Sequence, residues 1–160
     1  MPSKKVPQEI DVSIVVPTLN EEKNIEACIA ALRNQDFEGT FEIIIADGPS
    51  TDATRKLAQK LADKVATETR KGIALERQAG GKIAEGKIIA FTDCDSRAPR
   101  DWVRRIHETF QHDPALGLIY GPVFYSDVSA QEQYLSTLFM PRFLQLTSIL
   151  GMHNPIGSNI

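Results

Sequence analysis

No stretch of the 160-residue chain approaches the roughly 18 consecutive apolar residues that a membrane-spanning helix needs. Basic residues are not in excess either: 18 Lys and Arg against 21 Asp and Glu leave a net charge of −3. Without a basic stripe there is little to displace counterions from a phosphate backbone, which argues against nucleic acid as the main partner. Aromatic residues make up only 7% and are scattered, so no base-stacking platform is expected. Cysteine is scarce, and the spacing of Cys28 and Cys94 fits neither a disulfide framework nor a zinc site. That usage points to a reducing, cytosolic compartment. Met1 to Glu9 carry Lys4 and Lys5 but no apolar core, so no signal peptide is expected there. Neither G-x-G-x-x-G nor a P-loop lysine pattern occurs, so dinucleotide and P-loop chemistry lack their fingerprint. His107 and His112 miss the i, i+4 spacing of a helical zinc pair.

What is present is an ordinary globular balance, 42% hydrophobic and 24% charged, at a length that suits one domain with its own core. Residues 1–11 are expected to form an N-terminal extension and residues 12–160 a single domain. Apolar and polar segments alternate along it. Val12 to Val16 reads as a buried strand ended by Pro17, and Asn20 as the cap of a helix with Glu21 and Glu22 in its first turn. Ile25, Cys28, Ile29 and Leu32 form that helix's apolar face. Phe41 to Ala46 is a second strand, followed by the turn Asp47-Gly48-Pro49-Ser50. Ser50 or Thr51 should cap a helix that turns Leu57, Ala58 and Leu61 inward, and a short third strand is expected near Val65. Ile73 to Glu85 reads as a helix and Lys87 to Thr92 as a strand. Pro99 is placed as the first residue of a helix that buries Trp102, Val103, Ile106 and Phe110. Leu116 to Tyr125 is strand-like, and Gln131 to Leu150 is a long amphipathic stretch bent at Pro141. Strands alternating with helices imply an α/β fold with a mostly parallel sheet flanked by helices.

In such sheets ligands bind beyond the carboxyl ends of the strands. Three segments are selected by that rule alone: Pro17-Thr18-Leu19-Asn20-Glu21, Asp47-Gly48-Pro49-Ser50 and Asp93-Cys94-Asp95-Ser96. Asp93 and Asp95, two residues apart on a turn, can aim hard oxygen ligands at one Mn²⁺ or Mg²⁺ ion, or they can simply cap the turn. Glu21 can accept from ribose hydroxyls or serve a capping turn; Asp47 can accept from a base or ribose, or close an Asx-turn. Lys71 and Arg77 can face a phosphate or base, or belong to a solvated helix face.

Four segments in order resemble the inverting nucleotide-sugar glycosyltransferases of family 2. Val12 to Glu21 is similar to the family's opening strand and P-T-x-N-E turn, and Ile45 to Thr54 to its V-D-D-G-S-x-D-x-T segment. Arg77-Gln78-Ala79-Gly80 resembles the A-R-N-x-G helix start, and Asp93-Cys94-Asp95 the D-x-D. The resemblance implies a Rossmann-like GT-A fold and a nucleotide-diphospho-sugar donor, UDP- or GDP-linked, used with a divalent metal. It places Pro17, Thr18, Leu19, Glu21, Asp47, Lys71 and Arg77 around the nucleotide, with Asp93 and Asp95 toward ribose and the metal-bound diphosphate. Asp95 is the direct metal ligand by the same comparison. Gly48 departs from the pattern, standing where the family commonly has a second Asp.

The family's catalytic base, an Asp in a later E-D pair, has no counterpart after Asp95, and the chain is expected to hold the donor-binding portion of the domain. The implied acceptor is a saccharide or a lipid-linked group. Tyr134 to Met152, in which only Arg142 is charged, is read as core, as a peripheral membrane contact at the cytoplasmic face, or as a partner surface. Two other classes compete. A D-x-D phosphohydrolase would use Asp93 as nucleophile, but Arg97 stands where that family has Thr or Val. A non-catalytic nucleotide-sugar-binding module would keep the donor site alone.

Overall fold

Four strands alternate with four helices in the computed structural model, which describes residues 9–120. In chain order they are β1 (Val12–Thr18), α1 (Ile25–Arg33), β2 (Phe41–Asp47), α2 (Thr54–Leu61), β3 (Lys64–Thr67), α3 (Ile73–Ile83), β4 (Ile88–Phe91) and α4 (Trp102–His112). The sheet order is β3-β2-β1-β4, with every pairing parallel. The expected α/β architecture is therefore the one observed.

Alternation along the strands sorts their side chains into two layers. Val12, Ile14, Val16, Ile43 and Ile45 join Ile25, Cys28, Ile29 and Leu32 of α1, Ala58 of α2 and Val103 of α4 in one core. Val15, Ile44, Ala46 and Ala66 face the other way, with Ala79 of α3 packed on them. Helices thus cover both faces, which is why β1 and β2 read as continuous apolar runs. α3 approaches closely because Gly80 faces the sheet: a Cβ there would overlap Val15 Cγ1 and stand 3.1 Å from Ala46 Cβ. The chain moves outward from β1 through β2 to β3, then returns across the sheet through α3 to β4 on the far side of β1. That reversal is the topological switch point where a crevice opens.

Several boundaries differ from the sequence expectation, each for a local reason. Pro17 does not end β1; the strand runs on to Thr18, with Pro17 paired to Ala46. Val15 O accepts from Thr92 N, so odd-numbered residues of β1 face β4, and β4 pairs no further than Val15. The missing N–H of Pro17 therefore falls beyond the last rung and costs no ladder bond. Asn20 does not cap α1. Its φ of 58° is left-handed, a conformation that Asn tolerates better than most residues. The chain makes a further turn, with Asn24 N and Ile25 N both donating to Glu21 O, before α1 begins at Ile25.

α2 likewise begins later, at Thr54, whose N–H donates to Asp52 Oδ1. α4 begins at Trp102, after a turn in which Trp102 N donates to Pro99 O. Residues 116–120 contain no strand, and the remainder of the strand expected from Leu116, like the stretch Gln131 to Leu150, lies outside the described residues. Among the described residues no helix is long and apolar enough to cross a membrane.

Candidate functional site

The register sets Thr18, Asp47 and Thr67 side by side at the carboxyl edge of the sheet. β4 stops lower, opposite Val15, and Thr92 N continues the ladder to Val15 O at 3.3 Å. The segment Asp93 to Asp95 therefore climbs beside the end of β1. The loops after β1, β2 and β3 leave the same edge.

The first two of these loops are bonded into one unit. Asn20 N donates to Ser50 Oγ (3.0 Å), and Thr51 N donates back to Asn20 Oδ1 (2.8 Å). Glu21 N donates to Thr54 Oγ1 (2.7 Å), Glu22 N to Asp52 Oδ2 (3.1 Å), and Ala53 N to Glu22 Oε2 (3.0 Å). Backbone N–H groups that would otherwise need water are satisfied across the gap, which preorganises both loops.

The expected site residues divide by what they do here. Pro17 and Thr18 are buried in β1, while Leu19 is half-buried in the following loop. Glu21 is half-buried, and its Oε2 accepts from Asn24 Nδ2 at 2.8 Å. Asp47, read as a ligand for base or ribose or as the closing residue of an Asx-turn, is fully buried, and its oxygens are engaged within the chain. Oδ1 accepts from Ser50 Oγ (2.6 Å) and Thr18 Oγ1 (3.3 Å), and Oδ2 accepts from Arg55 Nε at 2.7 Å. Lys71 is exposed in the loop between β3 and α3.

Arg77 crosses from α3 to the end of β4, where its Nη2 donates to Asp93 Oδ1 at 2.9 Å. That ion pair was not foreseen as a pair, though both partners were named. Asp95 is exposed, whereas Cys94 between the two aspartates turns into the core. The neighbouring Cys28 thiol and burial both push the Cys94 thiol up, away from the thiolate that a metal would need.

Asp93 is held above the usual carboxylate range, chiefly by burial. The Arg77 guanidinium works against that shift, while the charge of Asp95 adds to it. Two carboxylates close enough to feel each other suit a hard divalent cation. Among the described residues no third His, Cys, Asp or Glu converges on them. The donor set therefore fits Mg²⁺ or Mn²⁺, which accept one or two protein carboxylates and complete their shell with water and substrate phosphate.

Glu76 was not among the expected residues. It lies in the first turn of α3, only 3% exposed, and its Oε1 has no hydrogen-bond partner. Gly48 is what makes room for it: a Cβ on Gly48 would overlap Glu76 Oε1 and stand 3.1 Å from Cδ. The signal available in the sequence was position, since Glu76 is one helical turn before the sheet-facing Gly80. Burial raises the Glu76 carboxyl above its ordinary range; the Gly72 backbone partly offsets this, and the charges of Asp47 and Glu68 reinforce it.

A raised folded-state value means that the protonated carboxyl suits the fold. Its stability is present below the unfolded carboxyl range and is lost as pH rises through the folded value. Glu76→Gln should therefore stabilise the chain by about 1 kcal/mol near pH 7.5 and change little near pH 4. Urea unfolding at both pH values reads this out, and an equal offset at the two would exclude the charge as its origin.

Known proteins resemble this chain in sequence and fold. Chondroitin synthase of Pasteurella multocida is 29% identical over 153 residues, which cover 91% of this chain and 16% of that protein. The poly(ribitol-phosphate) β-N-acetylglucosaminyltransferase TarS of Staphylococcus aureus is 36% identical over 93 residues, covering 52% of this chain and again 16% of the relative. The chain thus spans less than a fifth of the length of either. Among solved structures, a mannosyltransferase of Pyrobaculum calidifontis in complex with GDP-Man and Mn²⁺ superposes with a TM-score of 0.61 at 26% identity. That match covers 76% of this chain and 40% of the other. The model of glycosyl transferase family 2 matches residues 13–158, and with the parallel sheet and its carboxyl-edge loops already in place, the chain belongs to that family.

Proposed function

We propose that this chain binds a nucleotide-diphospho-sugar together with a divalent cation and takes part in moving the sugar, with inversion, to a saccharide or lipid-linked acceptor at the cytosolic side of the cell. The observation that carries this reading is the pair Asp93 and Asp95 at the switch point, with Arg77 bonded to Asp93. Asp95, exposed at the crevice, would hold the metal directly, and Asp93 would share it while Arg77 fixes its orientation. When bound, Mn²⁺ or Mg²⁺ would offset the diphosphate charge and act as a Lewis acid on the departing phosphate. The joined loops after β1 and β2 give the nucleoside a rigid seat, so little ordering entropy is left to lose on binding. Lys71, exposed on the loop before α3, supplies a cation at the same edge.

Calorimetric titration with UDP, GDP and CDP, each with and without Mn²⁺, tests the proposal. At least one should bind about tenfold more tightly with the metal, a difference of about 1.4 kcal/mol. Metal-independent binding to all three would overturn the metal assignment. Turnover of a phosphate monoester with no nucleotide affinity would favour D-x-D hydrolase chemistry instead.

A further inference from the structure

We propose that Glu76 is a specificity-determining residue for the nucleobase, accepting the ring N–H of uracil or guanine at Oε1. The inference rests on the donor reading above and goes beyond it by naming the group that selects the base. Four observations lead to it.

First, an acceptor oxygen, Glu76 Oε1, is buried without a hydrogen-bond partner in the first turn of α3. Native proteins seldom retain such an atom unless something else completes its bond. Second, the neighbouring carboxylate of Asp47 is fully buried and both its oxygens are already bonded to Thr18, Ser50 and Arg55, whereas Glu76 Oε1 has no bond within the chain. Third, Gly48 gives up a side chain in front of Glu76. Its backbone does not demand glycine, since Gly72 is the positive-φ glycine among the described residues. What glycine supplies at 48 is space, and that space is occupied by Oε1. Fourth, Glu76 adjoins the end of β2, at the edge where the loops after β1 and β2 are locked together.

The chemistry then selects the ligand. Uracil N3 and guanine N1 each carry a hydrogen on the base edge, whereas cytosine N3 and adenine N1 present a lone pair. A carboxylate oxygen held opposite that ring nitrogen is completed by the first kind and repelled by the second, whose amino donors lie one position along the edge. A buried polar group left unpaired by the wrong ligand is the strongest route to discrimination. An N–H donated to Oε1 also favours the ionised carboxylate, opposing the burial that disfavours its charge.

The 160-residue chain is titrated with UDP, GDP, CDP and ADP at fixed Mn²⁺, as wild type, Glu76→Met and Gly48→Ala. Met matches Glu in length but offers no charged acceptor, while a methyl on Gly48 displaces the carboxyl without altering residue 76. In wild type, UDP or GDP should bind at least about tenfold more tightly than CDP and ADP, as expected for one hydrogen bond to a charged group. Both variants should bring that ratio to within about twofold by weakening the preferred nucleotide alone, with circular dichroism unchanged. An undiminished ratio in either folded variant overturns the proposal, as does a wild type that prefers CDP or ADP. If wild type binds none of the four, the donor reading itself falls and this inference with it. If wild type binds and only the ratio fails to move, the donor reading stands and the assignment of Glu76 alone is lost.

Discussion

Asp95→Asn is expected to remove most of the metal-dependent nucleotide affinity, about 10–100-fold or more, while leaving the fold intact. The lower bound follows from metal sites in general, where loss of a group that merely orients a ligand already costs about that much. Asp95 is exposed and makes no side-chain bond within the described residues, so its replacement should shift stability by no more than about 0.5 kcal/mol. Asp93→Asn should behave differently. It weakens the bond to Arg77, whose side chain is 16% exposed, and so affects stability together with binding. Cys94→Ala should leave nucleotide affinity nearly unchanged, because that side chain lies in the core. Calorimetry with one nucleoside diphosphate, with and without Mn²⁺, separates the three variants. If Asp95→Asn keeps the full metal enhancement, Asp95 is not a metal ligand.

Much of the fold could be read from the sequence because the decisive pattern is local. Buried strands declare themselves as short β-branched runs, and the face of α1 through Ile25, Cys28, Ile29 and Leu32 repeats at helical spacing. Helix starts were less legible: α3 begins at Ile73 as expected, but α1, α2 and α4 begin a few residues later than the capping residues or Pro99 suggested. Asn20, Ser50 and Thr51 have the side chains of helix caps, but here they bond to each other across two loops about thirty residues apart. A single-segment reading has no access to that partner.

The same distinction divides the site. The placement of Asp93 and Asp95 just beyond a strand was legible, because the short apolar run before them marks where β4 ends. The burial of Asp47 was not, since it depends on Arg55 eight residues onward. Glu76 was hidden because a charged residue in a helix ordinarily signals solvent, and only the approach of α3 to Gly48 shows otherwise.

Arg55→Met should destabilise the chain by about 2–3 kcal/mol, far more than its exposed position suggests. Breaking a fully buried pair costs about 3–5 kcal/mol, because the remaining charge stays desolvated. Here Asp47 is completely buried but the Arg55 side chain is 40% exposed, so the expectation is discounted for solvent screening. Ser50 and Thr18 would still donate to Asp47 Oδ1, which also keeps the loss below the upper value. Arg55 does a second job, since its Nη2 donates to Gly48 O at 2.8 Å and pins the turn against which Glu76 rests.

The internal comparison is Arg33 with Asp63, a two-pronged pair with both N–O distances at 2.8 Å but side chains 41% and 40% exposed. Arg33→Met should cost no more than about 1 kcal/mol, as for most surface pairs. Urea unfolding of both variants gives the difference directly. The double variant Arg55→Met with Asp47→Asn should recover part of the loss, because it neutralises the stranded carboxylate. Equal destabilisation by Arg55→Met and Arg33→Met would mean that Asp47 does not need its guanidinium. The turn at Gly48 would then be held by the hydroxyls of Thr18 and Ser50 alone.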